Sequence, residues 1–251
     1  MNHLRKISLM AALAAGMFVA PQVVLAQAGA CGEERDIDQG LMDEASYKRM
    51  NEAFELVGEE KYGEAMEDLL YLRERARNDY LKAVVAQAIA QVYWAEGDYD
   101  NSLKEFELAV ELDALPNQTH YSLMYQIAQL YYANKRYDEA LQRLELWFCK
   151  VPVEEHQATA YVLKGSILAQ KEAWEEVVVA LDTGIAMSDK PEENWYALKL
   201  AAHYQLEQFD KSAETLEIMV TNWPEKKAYW TQLSNTYYKL ENDKKALSVM
   251  A

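Results

Sequence analysis

The sequence has few glycine and proline residues, 9 and 5 among 251. So few turn-forming residues exclude an all-β sandwich or barrel, which needs many tight turns, while the Ala, Leu, Glu, Lys and Gln content favours helices. Basic residues are also scarce, because 25 Lys and Arg stand against 41 Asp and Glu, a formal net charge of −16. A nucleic-acid-binding protein needs basic residues for its phosphate contacts. The composition therefore predicts an acidic, all-α protein with no nucleic-acid partner.

Residues that support catalysis or metal binding are equally sparse. The 2 cysteines and 4 histidines show no spacing typical of a zinc site. The sequence has no glycine-rich phosphate-binding loop, no H-E-x-x-H motif and no G-x-S-x-G motif. The acidic residues single out no catalytic pair, and Glu105, Glu107 and Glu111 are expected on solvated helix faces. We therefore expect a non-enzymatic protein without cofactor or metal.

Long apolar runs are absent after the N-terminus. Residues 1–26 combine a positive start (MNHLRK), an apolar run (ISLMAALAAGMFVA) and a small-x-small site ending at Ala26, which is typical of a secretory signal peptide. Cleavage is expected after Ala26 or Ala28. No later apolar stretch reaches the about 18 residues that a membrane-spanning helix needs. We therefore expect an exported mature chain without a transmembrane span.

The two cysteines leave alternatives open. Residues 28–31 partly resemble a lipoprotein box but lack the usual leucine three residues before Cys31, so lipid anchoring at Cys31 is the less favoured alternative. An exported compartment also permits a disulfide between Cys31 and Cys149. Cys149 follows Trp147 and Phe148 on an apolar helix, where a buried free thiol is the favoured interpretation.

The rest of the chain repeats one pattern six times, at a spacing of 34 to 38 residues. Each copy contains an aromatic residue that is followed three residues later by a small residue. Copy four has Val177 in place of the small residue, and the last copy has Asp243 in place of the aromatic residue. These pairs are Tyr62/Ala65, Tyr99/Ser102, Tyr137/Ala140, Trp174/Val177, Phe209/Ser212 and Asp243/Ala246. Six residues earlier, or five in copy five, stands a large residue that we call the slot residue. The slot residues are Leu56, Tyr93, Tyr131, Leu168, Tyr204 and Tyr237. The shorter spacing predicts that copy five has one residue fewer in or near its turn.

Each copy reads as two helices joined by a tight polar turn, and small residues such as Ala90 and Ser102 are expected to let the two helices approach closely. Prolines close several copies, at positions 116, 152, 191 and 224. From about Ser46 onwards the sequence thus resembles the tetratricopeptide-repeat family, whose pattern is W-x2-L-G-x2-Y, then A-x3-F, then proline. The resemblance implies a right-handed α-solenoid of about six helix-turn-helix repeats over residues 46–251, after an N-terminal extension or cap at 27–45. The sixth repeat ends at Ala251 inside its second helix, so we expect it to be incomplete and the natural chain to be longer.

A narrower resemblance lies in the last third of the chain. Its elements are DKPxxxWY at residues 189–196, NWPxKKxYWxQLS at residues 222–234 and DKKAL at residues 243–247. In these elements the sequence resembles the periplasmic tetratricopeptide proteins associated with TonB, ExbB and ExbD energy-transduction systems. The resemblance implies a periplasmic accessory of TonB-dependent uptake.

A row of polar and aromatic residues is the candidate binding site. In a tetratricopeptide unit the slot residue packs between the helices, so the residue after it, the post-slot residue, points towards the concave groove lined by the first helices. Copies two, three and six have an aromatic post-slot residue and an amide one turn earlier. The predicted groove residues are Gln87, Gln91, Trp94, Tyr125, Gln129, Tyr132, Thr231, Asn235 and Tyr238. Copy four has only small residues there, Val162, Ser166 and Ala169, so binding should centre on copies two and three. The alternative is that these aromatic residues merely fill space between repeats.

This groove suggests a protein-binding function. Amide side chains can pair with an extended backbone, and aromatic rings provide flat apolar contacts. An acidic solenoid favours a basic partner, and the TonB resemblance implies a basic, proline-containing periplasmic segment of TonB or ExbD. We therefore expect a periplasmic adaptor. The alternative is a general cell-envelope scaffold for outer-membrane or peptidoglycan machinery, anchored through Cys31.

Overall fold

The computed structural model describes residue 37 and residues 41–249 of the chain. These described residues form twelve α-helices and one short 3-10 helix, without any β-strand. The helices form six successive hairpins, one for each predicted repeat. The pairs are α1 and α2 (Glu44–Gly58, Tyr62–Arg75), α3 and α4 (Asp79–Glu96, Tyr99–Glu111), α5 and α6 (Asn117–Ala133, Tyr137–Lys150), α7 and α8 (Ala158–Gln170, Trp174–Met187), α9 and α10 (Glu193–Gln205, Phe209–Asn222), and α11 and α12 (Lys227–Lys239, Asp243–Val249). The predicted all-α repeat fold is confirmed.

The repeats begin two residues before the predicted boundary at residue 46. Helix α1 starts at Glu44 because the side chain of Asp43 caps it, accepting a hydrogen bond from the backbone N–H of Ser46 at 2.9 Å. The predicted signal peptide, the alternative lipid site at Cys31 and most of the predicted extension lie outside the described residues.

The described part of the N-terminal extension contacts two later repeats. The backbone N–H of Ile37 donates to Oδ1 of Asn117 at 3.2 Å, and the N–H of Asn117 donates to the Ile37 carbonyl at 2.9 Å. The carbonyl of Leu41 accepts from Nδ2 of Asn78 at 3.4 Å. Asn117 begins α5 and Asn78 precedes α3. Ile37 therefore lies at the start of the first helix of repeat three, and Leu41 lies near the start of the first helix of repeat two.

Cys149, near the end of α6, is half-buried and disulfide-bonded. The favoured expectation of a free buried thiol is therefore wrong. Cys31 is the only other cysteine in the sequence, and it lies outside the described residues.

All six hairpins have the same turn. A residue with φ between 55° and 81° stands two residues before each second helix. These residues are Glu60, Gly97, Lys135, Glu172, Glu207 and Glu241. The following N–H donates to the carbonyl of the residue that packs in the slot, as Arg136 does to Tyr131 at 2.9 Å. Only one of the six turns has the glycine that this left-handed conformation favours.

The predicted shorter turn of copy five is wrong. The N–H of Gln208 donates to the carbonyl of His203 at 2.9 Å, the same bond that marks the slot residue in the other turns. His203 is buried, and its Nδ1 lies 2.9 Å from Oε1 of Gln208. His203 therefore occupies the slot, and Tyr204 is the post-slot residue. The sequence predicted Tyr204 as the slot residue because its side chain is aromatic, as in three of the other copies.

Small residues bring the two helices of a hairpin together, as predicted. Oγ of Ser102 donates to the carbonyl of Ala90 at 2.8 Å, and Oγ of Ser234 donates to that of Ala246 at 2.9 Å. In the α7–α8 hairpin a glycine, Gly184, has the same effect, since a Cβ added to it would lie 3.0 Å from the Ala158 carbonyl oxygen. These contacts explain the close packing within the hairpins.

A buried carboxylate joins repeats two and three. Oε1 of Glu107 accepts from the hydroxyl of Tyr131 at 2.9 Å and from Nε of Arg143 at 2.8 Å. Burial, together with the hydrogen bond to Glu107, raises the pKa of Tyr131 to about 12. The expectation that Glu107 lies on a solvated face is therefore wrong. In repeats five and six the hydroxyl of Tyr237 donates to Glu217 in the same way.

Candidate functional site

The first helices of the repeats form the concave side of the solenoid. Three of the five pairs of successive first helices are in contact (α1 with α3, α5 with α7, and α7 with α9), whereas no comparable contact joins any pair of successive second helices within the described residues. Long side chains bridge the second helices instead, as Arg73 and Glu105 do between α2 and α4. A stack of helices curves towards the side on which its neighbours lie closer, so the first helices line the inner surface.

The nine predicted groove residues lie on this side, in two separate groups. Six are on α3 and α5 and three are on α11. Trp94 and Tyr238 are 42% and 47% exposed. The half-buried residues are Gln87, Tyr125 and Tyr132, and the other exposed ones are Gln91, Gln129, Thr231 and Asn235. None of the nine is buried, so all are accessible to a partner. Their binding role stays a prediction.

The post-slot aromatic rings also pack within their own repeats. The ring centroids of Trp94 and Tyr99 are 4.7 Å apart, and those of Tyr132 and Tyr137 are 5.8 Å apart. Each pair joins the end of a first helix to the start of its second helix. One side of each ring is therefore used for packing, as the space-filling alternative requires, while the exposed remainder is free for a ligand.

Tyr125 links the inner surfaces of repeats three and four. Its ring lies 5.4 Å from that of the buried Trp147. Burial raises the pKa of Tyr125, although the neighbouring Thr159 of α7 and Gln129 of α5 act in the opposite direction. The tyrosine therefore lies at the boundary between the two repeats.

Three aromatic residues of the inner surface were missed by sequence reasoning. Tyr204 was assigned to the slot, but its ring packs against Phe209 at 6.1 Å, like the other post-slot rings. Tyr47 and Phe54 on α1 are 60% and 41% exposed. The sequence could have identified Tyr47 and Phe54 as groove residues. They stand nine and two residues before the slot residue Leu56, and both positions lie on the same helix face as the post-slot residue.

The sequence elements with the narrower resemblance mainly hold repeats five and six together. Nζ of Lys226 donates to Oε1 of Glu193 at 2.6 Å, and the rings of Tyr196 and Trp223 are 5.9 Å apart. Nε1 of Trp230 donates to the carbonyl of Pro224 at 2.9 Å. These elements therefore have a structural role in packing repeats five and six together, whether or not they also take part in binding a partner.

The described residues contain no group of three or more His, Cys, Asp or Glu side chains placed to hold a metal ion. The raised pKa of Tyr131 has a structural explanation in its burial and its hydrogen bond to Glu107.

None of the described helices is both long enough and apolar enough to cross a membrane.

Comparison with known proteins agrees with this repeat architecture. Residues 88–147, which lie in repeats two and three, match the sequence model of the tetratricopeptide repeat family. No curated protein matches the chain in sequence.

Several solved structures share the fold. A tetratricopeptide repeat protein from Parabacteroides merdae superposes with a TM-score of 0.59 and 12% identity, covering 82% of this chain and 78% of that one. YrrB, described as a TPR protein with an unusual peptide-binding site, superposes with a TM-score of 0.55 and 15% identity, covering 72% of this chain and 88% of that one. A MamA fragment from Desulfovibrio magneticus superposes with a TM-score of 0.53 and 18% identity, covering 67% of this chain and 91% of that one. The chain therefore has the fold of a tetratricopeptide-repeat solenoid, with the sequence pattern of that family in residues 88–147.

Proposed function

We propose that this protein is a non-enzymatic adaptor that binds an extended segment of a partner protein along its concave side. The observation that carries the proposal is the accessible row formed by Gln91, Trp94, Gln129 and Tyr132 on α3 and α5. The amides can donate to and accept from the backbone of an extended segment. The exposed parts of the rings offer apolar contact to proline and aliphatic side chains.

We further propose that the adaptor acts in the periplasm as an accessory of a TonB-type transport system. Three features support this: the signal-peptide pattern of residues 1–26, the resemblance in the last third of the chain, and the net charge of −16. An acidic protein attracts a basic segment and accelerates its association. The proposed partner is therefore a basic, proline-containing periplasmic segment of TonB or ExbD.

Titration with purified partners tests this proposal. The periplasmic domains of TonB and ExbD from the same cell are each titrated into the mature, oxidised protein at low and high salt. We expect saturable binding to one of them, with an association rate that falls as salt rises. Absence of binding to both would contradict the TonB part of the proposal, and an unchanged association rate would contradict charge steering.

The second candidate function is a general cell-envelope scaffold anchored by a lipid at Cys31. The disulfide at Cys149 disfavours it, because a cysteine sulfur that carries a lipid cannot also form a disulfide with Cys149. The intact mass of the exported protein, measured without reduction, separates the two. We expect a chain that begins at Gln27 or Gly29 and carries no acyl groups. A chain that begins at Cys31 with the mass of acyl groups would favour the scaffold.

A further inference from the structure

We propose that the partner segment in the concave groove is uncharged, and that the basic residues of the partner lie outside the groove. This inference rests on the proposed binding function and specifies the chemistry of its ligand. It follows from the positions of the charged side chains of this protein. The groove-facing positions are counted from the slot residue of each repeat, which is His203 in repeat five.

Five positions of each first helix face the groove. They lie nine, six and two residues before the slot residue and one and two residues after it. At 100° per residue these positions fall within one face about 100° wide. Trp94, Tyr132, Tyr204 and Tyr238 all occupy the first position after the slot. In the six described first helices the face comprises thirty residues, of which Met50 alone is fully buried.

Only one of these thirty residues is charged, Lys239. Charged residues make up 26% of the whole chain, so about eight would be expected on a face of this size if charge were evenly distributed. Lys239 is at the end of the first helix of repeat six, and the faces of repeats one to five have no charge. The negative charge of the protein therefore lies on its other surfaces.

Lys239 is partly engaged by neighbouring rings. Its Nζ lies 4.4 Å from the ring centroid of Phe209 and 5.9 Å from that of Tyr204. This contact holds the ammonium group against aromatic rings. An acidic residue of a ligand could pair with Lys239 only in repeat six, four repeats away from Trp94.

A lysine or arginine of the ligand would find no carboxylate among the thirty residues of this face. Placing a cation in a groove costs desolvation energy that a carboxylate would otherwise offset. Ring faces that remain in contact with water attract cations only weakly. The backbone and the apolar side chains of a ligand avoid this desolvation cost. Amides such as Gln91 and Gln129 can pair with the ligand backbone, and Trp94 and Tyr132 can cover its apolar side chains.

The length of the uncharged part follows from helix spacing. Packed helices lie about 8–10 Å apart, and an extended chain advances about 3.3 Å per residue. Each repeat therefore accommodates roughly three residues of ligand. A segment that crosses repeats two to four would be uncharged, extended and proline-compatible over about nine residues.

Selection from a random library of 12-residue peptides tests the inference. The mature, oxidised protein is used as bait, and the selected peptides are sequenced and titrated against wild type and Trp94→Ala. We expect Lys, Arg, Asp and Glu to be depleted at least threefold at the central positions relative to the library. We also expect the selected peptides to bind Trp94→Ala at least fivefold more weakly.

A charged groove variant is the matched control. Gln129→Glu puts a carboxylate on an exposed helix position and should restore Lys and Arg at the central positions at least threefold, with unchanged circular dichroism. Enrichment of Lys or Arg at the centre with the wild-type protein would overturn the uncharged-segment inference while leaving groove binding intact. Selected peptides that bind equally well to Trp94→Ala, or no selected peptides at all, would overturn the proposed function and the inference with it.

Discussion

The indole ring of Trp94 packs against the phenol ring of Tyr99, with 4.7 Å between the ring centroids. This pair closes the hairpin turn of repeat two and leaves 42% of Trp94 exposed on the concave side. Trp94 thus has a modest structural role as well as the proposed binding role. Its neighbour Tyr93 is half-buried between the helices. Substitutions at these two adjacent residues should therefore distinguish an effect on stability from an effect on the proposed binding.

We expect Tyr131→Ala and Tyr132→Ala to differ strongly in stability. Tyr131 is buried and bonded to Glu107, so its loss should lower the free energy of unfolding by about 3–5 kcal/mol, as large-to-small core changes do. Tyr132 is half-buried, and its loss should cost about 1 kcal/mol, mainly from its ring pair with Tyr137. Urea unfolding followed by circular dichroism measures both. Equal costs would show that Tyr132 belongs to the core.

We expect the protein to lose stability between pH 10 and pH 12, in part through Tyr131. Its pKa in the folded protein is about 12, against 10.0 for an ordinary tyrosine. The unfolded chain therefore releases this proton first as pH rises, which favours unfolding. Urea unfolding of wild type and Tyr131→Phe at pH 9 and pH 11.5 checks this. The stability difference between the two proteins should shift in favour of Tyr131→Phe at the higher pH, and a constant difference would contradict the assignment.

The turn of repeat two should be sensitive to substitution of its glycine. Gly97 has φ 81°, so Gly97→Ala should lower the free energy of unfolding by about 1 kcal/mol although the added Cβ meets nothing within 4 Å. Gly63 in α2 is the control, because its surroundings are equally open and its conformation is helical. Gly63→Ala should increase stability by about 0.5 kcal/mol. A stabilising Gly97→Ala would contradict the left-handed turn.

Gly184→Ala should separate α7 from α8. Its Cβ would approach the Ala158 carbonyl oxygen to 3.0 Å, and that oxygen belongs to the backbone. We expect a loss of about 1–3 kcal/mol. Gly165→Ala is the comparison, since its closest contact would be the flexible side chain of Leu181, at 3.2 Å. Thermal unfolding should rank Gly184→Ala below Gly165→Ala, and the reverse order would contradict the packing described here.

The sequence predicted the six hairpins and the helix face that carries the candidate site. Periodicity was sufficient because each repeat buries the same positions, such as Ala90, Ser102 and Tyr131. It failed in repeat five, where the slot has the polar residue His203 and the residue after it is the aromatic Tyr204. The other predicted slot residues are leucine or tyrosine, so the aromatic Tyr204 was chosen in place of the polar His203 beside it.

Contacts between distant residues were also beyond the sequence. The backbone pairing of Ile37 with Asn117 joins residues 80 positions apart, and neither residue type predicts it. Glu107 looked like an ordinary surface acid because its partner Arg143 lies one repeat later. The low charge of the concave face, in contrast, could have been counted from the sequence in every repeat but the fifth, because the slot positions define that face and only repeat five needed the structure to place its slot residue.

The affinity of Trp94→Ala and Tyr132→Ala for the partner segment tests the central claim most directly. Tyr71→Ala is the matched control, because Tyr71 lies on a second helix and is 40% exposed, close to the 42% of Trp94. With circular dichroism confirming that all three variants are folded, titration calorimetry should show a loss of about 1–3 kcal/mol of binding free energy for each concave variant and almost none for Tyr71→Ala. Equal affinities for all three variants and wild type, or a loss confined to Tyr71→Ala, would contradict binding on the concave side.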